Sequence, residues 1–193
     1  MPHSSGGGGI IIVISGPSGV GKSTICKRLA KDMDLKRSVS ATTRKPRKGE
    51  KDGTDYHFIS EEEFKKRIKR GAFIEHVKLF GNYYGTPLSP IREAIKSGET
   101  RVLDIDVHGA ITLRKKKIAG IYILVSPPNM ETLEERLKGR KTESDQQLAQ
   151  RLKLARWELK QTRYYDYVVK NDSIEEAVEK IKATITKHFE KSN

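Results

Sequence analysis

The chain has 193 residues, 35% of them apolar, with one cysteine and 38 Lys plus Arg against 25 Asp plus Glu, a formal charge of +13. That length supports one well-buried core with small appendages. The longest apolar run, Ile10–Ile14, is far too short for a bilayer-spanning helix, and a lone cysteine, Cys26, excludes an intrachain disulfide, which fits a reducing compartment such as the cytoplasm.

Met1–Gly9 (MPHSSGGGG) reads as a flexible arm without the basic and apolar regions of a secretory signal. Ile10–Ser15 is a β-branched apolar run, the pattern of a buried strand. A helix follows from Lys22 to about Met33, with Ile25, Cys26, Leu29 and Ala30 on one side. From Ser38 to Gly53 the chain is polar, basic and punctuated by Pro46 and Gly49, which predicts loop or short strands. Ser60 and Glu63 form a capping-box pattern opening a helix to about Arg70. Phe73–Phe80 reads as a strand and Gly81–Pro87 as a turn-rich connection. Ser89-Pro90 starts a helix ending near Gly98, with proline at the favoured first position.

Arg101–Val107 is a second central strand, a short helix follows Gly109, and Ile121–Ser126 is a third strand stopped by Pro127-Pro128. Asn129 caps a helix reaching Gly139, and the next helix carries Leu148, Leu152, Ala155 and Leu159 on one face. Tyr167–Lys170 is a short strand. Ser173 and Glu176 form a capping-box pattern for the last helix, whose stripe is Ile174, Ala177, Val178, Ile181, Ile185 and Phe189. Strands alternating with helices predict an α/β fold with a parallel sheet flanked by helices. Two polar, charge-rich segments, about 39–89 and about 128–155, interrupt the alternation, as insertions that hold substrate at the carboxyl edge of a sheet do.

Gly16-Pro17-Ser18-Gly19-Val20-Gly21-Lys22-Ser23 matches the P-loop pattern G-x-x-x-x-G-K-[ST] in full, between a strand and a helix. Its glycines let backbone N–H groups wrap a phosphate, and the helix adds its positive end. Lys22 is expected to reach the β- and γ-phosphates and the Ser23 hydroxyl to ligate Mg²⁺. The motif names a nucleotide binder and leaves the phosphate acceptor open.

The acceptor is suggested by residues 38–86. The blocks are Ser38-Val39-Ser40-Ala41-Thr42-Thr43-Arg44-Lys45-Pro46-Arg47-Lys48-Gly49-Glu50, Gly53-Thr54-Asp55-Tyr56-His57-Phe58, Phe73-Ile74-Glu75 and Gly81-Asn82-Tyr83-Tyr84-Gly85-Thr86. With Leu103-Asp104-Ile105-Asp106-Val107 and Gly109 further on, the chain resembles the guanylate kinases from about Ile10 to the last helix. The resemblance implies transfer of the γ-phosphoryl group of Mg·ATP to GMP, or dGMP. It also implies a division of the chain into a core (10–38, 90–127, 156–193), a GMP-binding segment (39–89) and a helical lid (128–155).

The residue types suit that chemistry. Arg44 and Arg47 are planar forks for a phosphate, and Tyr56 and Tyr84 donate hydroxyl hydrogen bonds to it. Guanine offers N1–H and N2–H donors beside the O6 acceptor. By the resemblance Glu75 takes the donors, Ser40 and Thr86 sit near O6, Asp106 completes the amino contact, and Glu50 belongs to the same segment. Adenine would leave these groups unpaired, which is worth factors of about 10⁴ in discrimination.

Asp104 and Asp106 alternate at a strand end and so share one side; Asp104 resembles the acidic residue that holds Mg²⁺ with Ser23. The resemblance places ATP on Gly16–Thr24 (Gly16, Pro17, Ser18, Gly19, Val20, Gly21, Lys22, Ser23 and Thr24), Arg136, Arg140 and Asn171. It gives Lys22, Arg44, Arg136 and Arg151 catalytic roles, as positive charge on the transferred phosphoryl group. Tyr83 is expected to pack at a turn, Arg156 to be a surface charge, and His108 to be solvated after its strand, behind the binding residues at most. Some domains of this family bind partners without catalysis and lose the P-loop lysine and glycines; this chain keeps Lys22, Ser23 and the three glycines. The charge of +13 also suits nucleic acid, but no recognition helix or aromatic–basic platform is present, so no specific nucleic acid is expected. Oligomeric state is not legible.

Overall fold

The structure, a computed structural model, describes residues 9–139 and 144–192. In chain order its elements are β1 (Ile11–Ser15), α1 (Lys22–Asp32), β2 (Lys36–Ser38), β3 (Ala41–Thr42), β4 (His57–Phe58), α2 (Glu61–Lys69), β5 (Phe73–Leu79) and β6 (Asn82–Pro87). These are followed by α3 (Leu88–Lys96), β7 (Arg101–Asp104), α4 (Val107–Lys115), β8 (Gly120–Ser126), α5 (Met130–Lys138), α6 (Asp145–Glu158), β9 (Tyr167–Lys170) and α7 (Ile174–Ser192).

β1 is buried along its whole length and is the middle strand of a five-stranded parallel sheet of order β2-β7-β1-β8-β9. A strand with helices over both faces has no solvent side, which is why its sequence shows no alternation. Its side chains nevertheless divide by parity. Ile12 and Ile14 pack with Ile25 and Leu29 of α1 and with Ala177, Val178, Ile181 and Ile185 of α7. Ile11 and Val13 pack on the opposite face with Ile91 of α3, Ala110 and Leu113 of α4, and Tyr122 of β8. At about 1.5–3 kcal/mol for each fully buried large aliphatic side chain, these layers hold the sheet between its helices.

A second, four-stranded sheet of order β4-β3-β6-β5 lies wholly within residues 41–87. It covers a small cluster of Ala41, Phe64 and Phe73. α5 and α6 pack on each other through Leu133, Leu137, Leu148, Leu152 and Ala155.

Several local expectations need correction. Gly81–Pro87 is not a loop: Asn82–Pro87 is strand β6, paired antiparallel with β5 and β3. The β-forming Tyr83, Tyr84 and Thr86 outweigh the turn signals of Gly81, Asn82, Gly85 and Pro87. The second central strand stops at Asp104, and Asp106 is the N-cap of α4, its carboxylate accepting from Gly109 N–H at 3.0 Å. Alternation within one strand therefore does not relate the two carboxylates, and α4 starts before Gly109. α3 begins at Leu88, so Pro90 is its third residue and not its first. Ser60 and Ser173 cap α2 and α7, but the reciprocal half of each box is diverted: Glu63 pairs with Arg67 and Glu176 with Lys180. On α6 the buried residue after Ala155 is Glu158; Leu159 is only half-buried.

Candidate active site

β1 feeds directly into the glycine loop, and each of its glycines is required by the backbone. Gly16, Gly19 and Gly21 have φ of +146°, +88° and +98°. A Cβ on Gly16 would stand 2.2 Å from Val125 O, and one on Gly21 2.7 Å from Asn171 Nδ2. The loop ends at the N-terminus of α1, which has no acidic residue in its first turn to offset its positive end. Lys22 folds back over the loop, donating to Gly16 O at 2.6 Å and Pro17 O at 3.0 Å. Ser23 Oγ donates to Asp104 Oδ2 at 2.6 Å, joining α1 to the end of β7.

Across the cleft stands the second sheet. Arg44 makes a two-pronged pair with Glu50, at 3.0 and 2.9 Å, with its guanidinium carbon 5.5 Å from the centre of the Tyr56 ring. Glu50 also accepts the Arg47 backbone N–H at 2.6 Å. Burial pushes the Glu50 carboxyl up, but the Arg44 and Arg47 hydrogen bonds more than offset it and leave the group below its ordinary range. Glu50 thus orients the Arg44 guanidinium from behind and fixes the Arg47 backbone. Burial, with Asp104 nearby, raises the Tyr56 phenol, which keeps it a hydrogen-bond donor.

Glu75 lies on β5 opposite Thr86 of β6 and is only 3% exposed. Thr86 Oγ1 donates to Glu75 Oε1 at 2.5 Å, and Ser40 Oγ is 3.2 Å from Thr86 Oγ1. Thr86 has one hydroxyl hydrogen; with that hydrogen on Glu75, the Ser40 hydrogen points at Thr86 and can turn to an arriving acceptor. Burial, then the Asp106 charge, push Glu75 up to about 7. A Cβ on Gly109 would meet Glu75 Oε2 at 2.7 Å, so the first turn of α4 admits the carboxylate only because residue 109 has no side chain.

One open cleft is lined by Gly16, Ser18, Gly19, Gly21, Lys22, Ser23, Thr24, Ser40, Arg44, Arg47, Tyr56, Glu75, Tyr84, Asp104, Asp106 and Arg151, among others. Pro17, Val20, Glu50, Thr86, Arg136 and Asn171 are not on its wall. Arg136 reaches Asn171 O at 3.4 Å. Asn171, 1% exposed, donates its side-chain N–H to Val20 O at 2.7 Å and so braces the loop from below. Arg140 lies outside the described residues. Arg151 donates to Ser18 Oγ at 3.1 Å. Tyr83 stacks on Phe64 with 5.2 Å between ring centres, within β6, and Arg156 is exposed. His108 is half-buried and stacks on Trp157 at 4.6 Å, so it is not a solvated side chain.

Two cleft residues escape the sequence patterns. Glu158 closes α6, is 2% exposed, and is pushed up to about 7 by burial, with Lys22 opposing and Asp106 adding. A carboxylate beside an apolar helical stripe looks like surface, and only its i+3 spacing from Ala155 hints at burial. Phe80, at the β5–β6 turn, also lines the cleft; its signal is a bulky aromatic directly before Gly81, after the strand-forming Leu79.

The Ser23–Asp104 contact offers a hydroxyl and a carboxylate oxygen beside the phosphate loop. Few, hard protein oxygens suit Mg²⁺, which keeps waters and shares phosphate oxygens. Among the described residues no group of three or more His, Cys, Asp or Glu forms a cage for a different kind of ion.

A family model for guanylate kinase matches residues 9–188. The chain belongs to the guanylate kinase family. It is 50% identical to the guanylate kinase of Caldanaerobacter subterraneus subsp. tengcongensis over 92% of this chain and 86% of that one. The guanylate kinase of Halalkalibacterium halodurans is 45% identical over 92% and 88%. A crystal structure of guanylate kinase from Anaplasma phagocytophilum superposes with a TM-score of 0.79 at 35% identity, covering 94% of this chain and 87% of that one. The P-loop kinase architecture expected from the sequence is therefore the guanylate kinase fold.

Proposed function

We propose that this protein is an ATP:GMP phosphotransferase that converts Mg·ATP and GMP, or dGMP, to ADP and GDP. The observation that carries this is the single cleft with the glycine loop and Lys22 on one wall and Arg44, Tyr56, Glu75, Tyr84 and Asp106 on the other. A triphosphate tail on the loop and a monophosphate under Arg44 and Arg47 would face each other in that space.

An oxygen of the GMP phosphate attacks the γ-phosphorus in line, the bond to the β–γ bridging oxygen breaks, and ADP leaves with that electron pair. No covalent intermediate on the enzyme is needed; positioning and positive charge are. Arg44, Arg47, Tyr56 and Tyr84 hold the acceptor phosphate. Lys22 leaves the Gly16 and Pro17 carbonyls for the β- and γ-oxygens, and Arg136 and Arg151 bring charge to the transferred group. Ser23 and Asp104 would hold Mg²⁺, which would supply charge neutralisation on the phosphates. Ionised Glu75 and Asp106 accept from guanine N1–H and N2–H, and Ser40 donates to O6, with Thr86 fixing Glu75. Asn171 contributes to donor binding through the loop it braces.

In this reading residues 39–89 are the acceptor-binding segment and 128–155 a lid that excludes water on closing. No described helix is long and apolar enough to cross a membrane, and cytoplasmic nucleotide metabolism is the setting that fits a single buried thiol. ADP formation measured across the nucleoside monophosphates tests the proposal. GMP and dGMP should turn over with kcat/KM at least about 10³-fold above AMP, UMP and CMP; equal use of AMP would overturn the guanine assignment.

A further inference from the structure

The β5–β6 hairpin turns in two residues, because Leu79 pairs with Asn82. Those residues, Phe80 and Gly81, have φ of +47° and +80°, the signature of a type I′ turn, whose first position favours Asn, Asp or Gly. A bulky side chain there is unfavourable, yet the turn is held, with Asn82 Nδ2 donating to Phe80 O at 3.1 Å. Core packing does not explain the choice, since Phe80 is 39% exposed. What the ring does contact is Arg151, whose guanidinium carbon stands 4.4 Å from the ring centre. The same guanidinium donates to Ser18 Oγ of the phosphate loop. Strain kept at a cleft-lining position usually serves the site it faces.

We propose that Phe80 is a positioning residue: its ring seats Arg151 against the phosphate loop, so that this arginine reaches the transferred phosphoryl group when the acceptor hairpin is in place. The inference rests on the catalytic role given to Arg151 above. It links the acceptor sheet, α6 and the glycine loop through one aromatic–cation contact.

The test is steady-state kinetics and thermal unfolding of the full chain carrying Phe80→Asn, Phe80→Leu, Phe80→Tyr, Arg151→Ala and the doubles with Arg151→Ala. Phe80→Asn should raise Tm, because Asn-Gly suits the turn, while kcat falls about two- to fivefold, the scale of a partly exposed cation–π contact. KM for GMP and ATP should stay within about twofold. Phe80→Leu, which keeps apolar bulk, should show the same kcat loss, and Phe80→Tyr should restore most of it. In the Arg151→Ala background the Phe80→Asn loss should vanish, since both substitutions remove one interaction. Unchanged kcat in Phe80→Asn, or losses that multiply with Arg151→Ala, would overturn the inference. If Arg151→Ala lowers kcat while the Phe80 variants do not, only the role of Phe80 falls; if Arg151→Ala itself leaves kcat unchanged, the role of Arg151 falls too.

Discussion

In the proposed mechanism Glu75 accepts two hydrogen bonds from guanine and must be ionised when the base arrives, yet it occupies a position where ionisation is hard. Burial and the Asp106 charge hold it near 7, against the Thr86 hydrogen bonds and Lys116. kcat/KM reports ionisations of free enzyme and free substrate. For GMP it should therefore rise with pH along two limbs, one from the second phosphate ionisation near about 6 and one from Glu75 near 7. Glu75→Gln should remove the upper limb, keep the lower, and lower kcat/KM by about 10²-fold or more, because the amide turns a donor toward guanine donors. A Glu75→Gln profile that retains both limbs would mean that another group titrates. The identity of Glu75 is legible from the sequence because it sits in a distinctive block. Its raised pKa is not, since that comes first from burial and then from the Asp106 charge, both of which exist only once the chain has folded.

At the scale of elements, the buried strands and the P-loop are legible because their signals are local: an apolar run, a glycine pattern, a following helix. β6 is not, because its turn-forming residues mislead until β5 is present to pair with them. Glu158 is missed for a similar reason, since which side of α6 is buried depends on the cleft it closes. The brace from β9 to the phosphate loop also exists only in the fold. Asn171 takes Ser126 O at 2.8 Å through its backbone and Val20 O at 2.7 Å through its side chain. Asn171→Ala would leave the Val20 carbonyl without that donor, at a cost of about 1–3 kcal/mol. Tm should fall by several degrees, about 2–4 °C per kcal/mol for a chain of this size. Because the loop is proposed to hold the donor and not the acceptor, KM for ATP should rise several-fold while KM for GMP stays put. An equal rise in both would show that the asparagine supports the whole cleft rather than the loop.

The whole molecule carries a +13 charge, yet its cleft gathers carboxylates from four elements: Glu75 on β5, Asp104 ending β7, Asp106 capping α4 and Glu158 at the end of α6. Burial comes first for both Glu75 and Glu158, and Asp106 adds to each, so both titrate near 7 in the folded protein against about 4.3 in an unfolded chain. Between those values the native state binds more protons than the unfolded state, so stability falls as pH rises. The contribution is complete below about 4.3 and gone above about 7, on the order of 7 kcal/mol for the two groups together. Carboxylates held low, such as Glu50, work in the opposite direction but only in more acidic solution. Tm of the unliganded protein should therefore decline from pH 5 to pH 8, and a Glu75→Gln, Glu158→Gln double variant should lose most of that decline. If GMP binds ionised Glu75 as proposed, the Tm gain from saturating GMP should be larger at pH 8 than at pH 6. A gain that shrinks as pH rises would mean that the base meets a protonated carboxyl and that guanine is read by other groups.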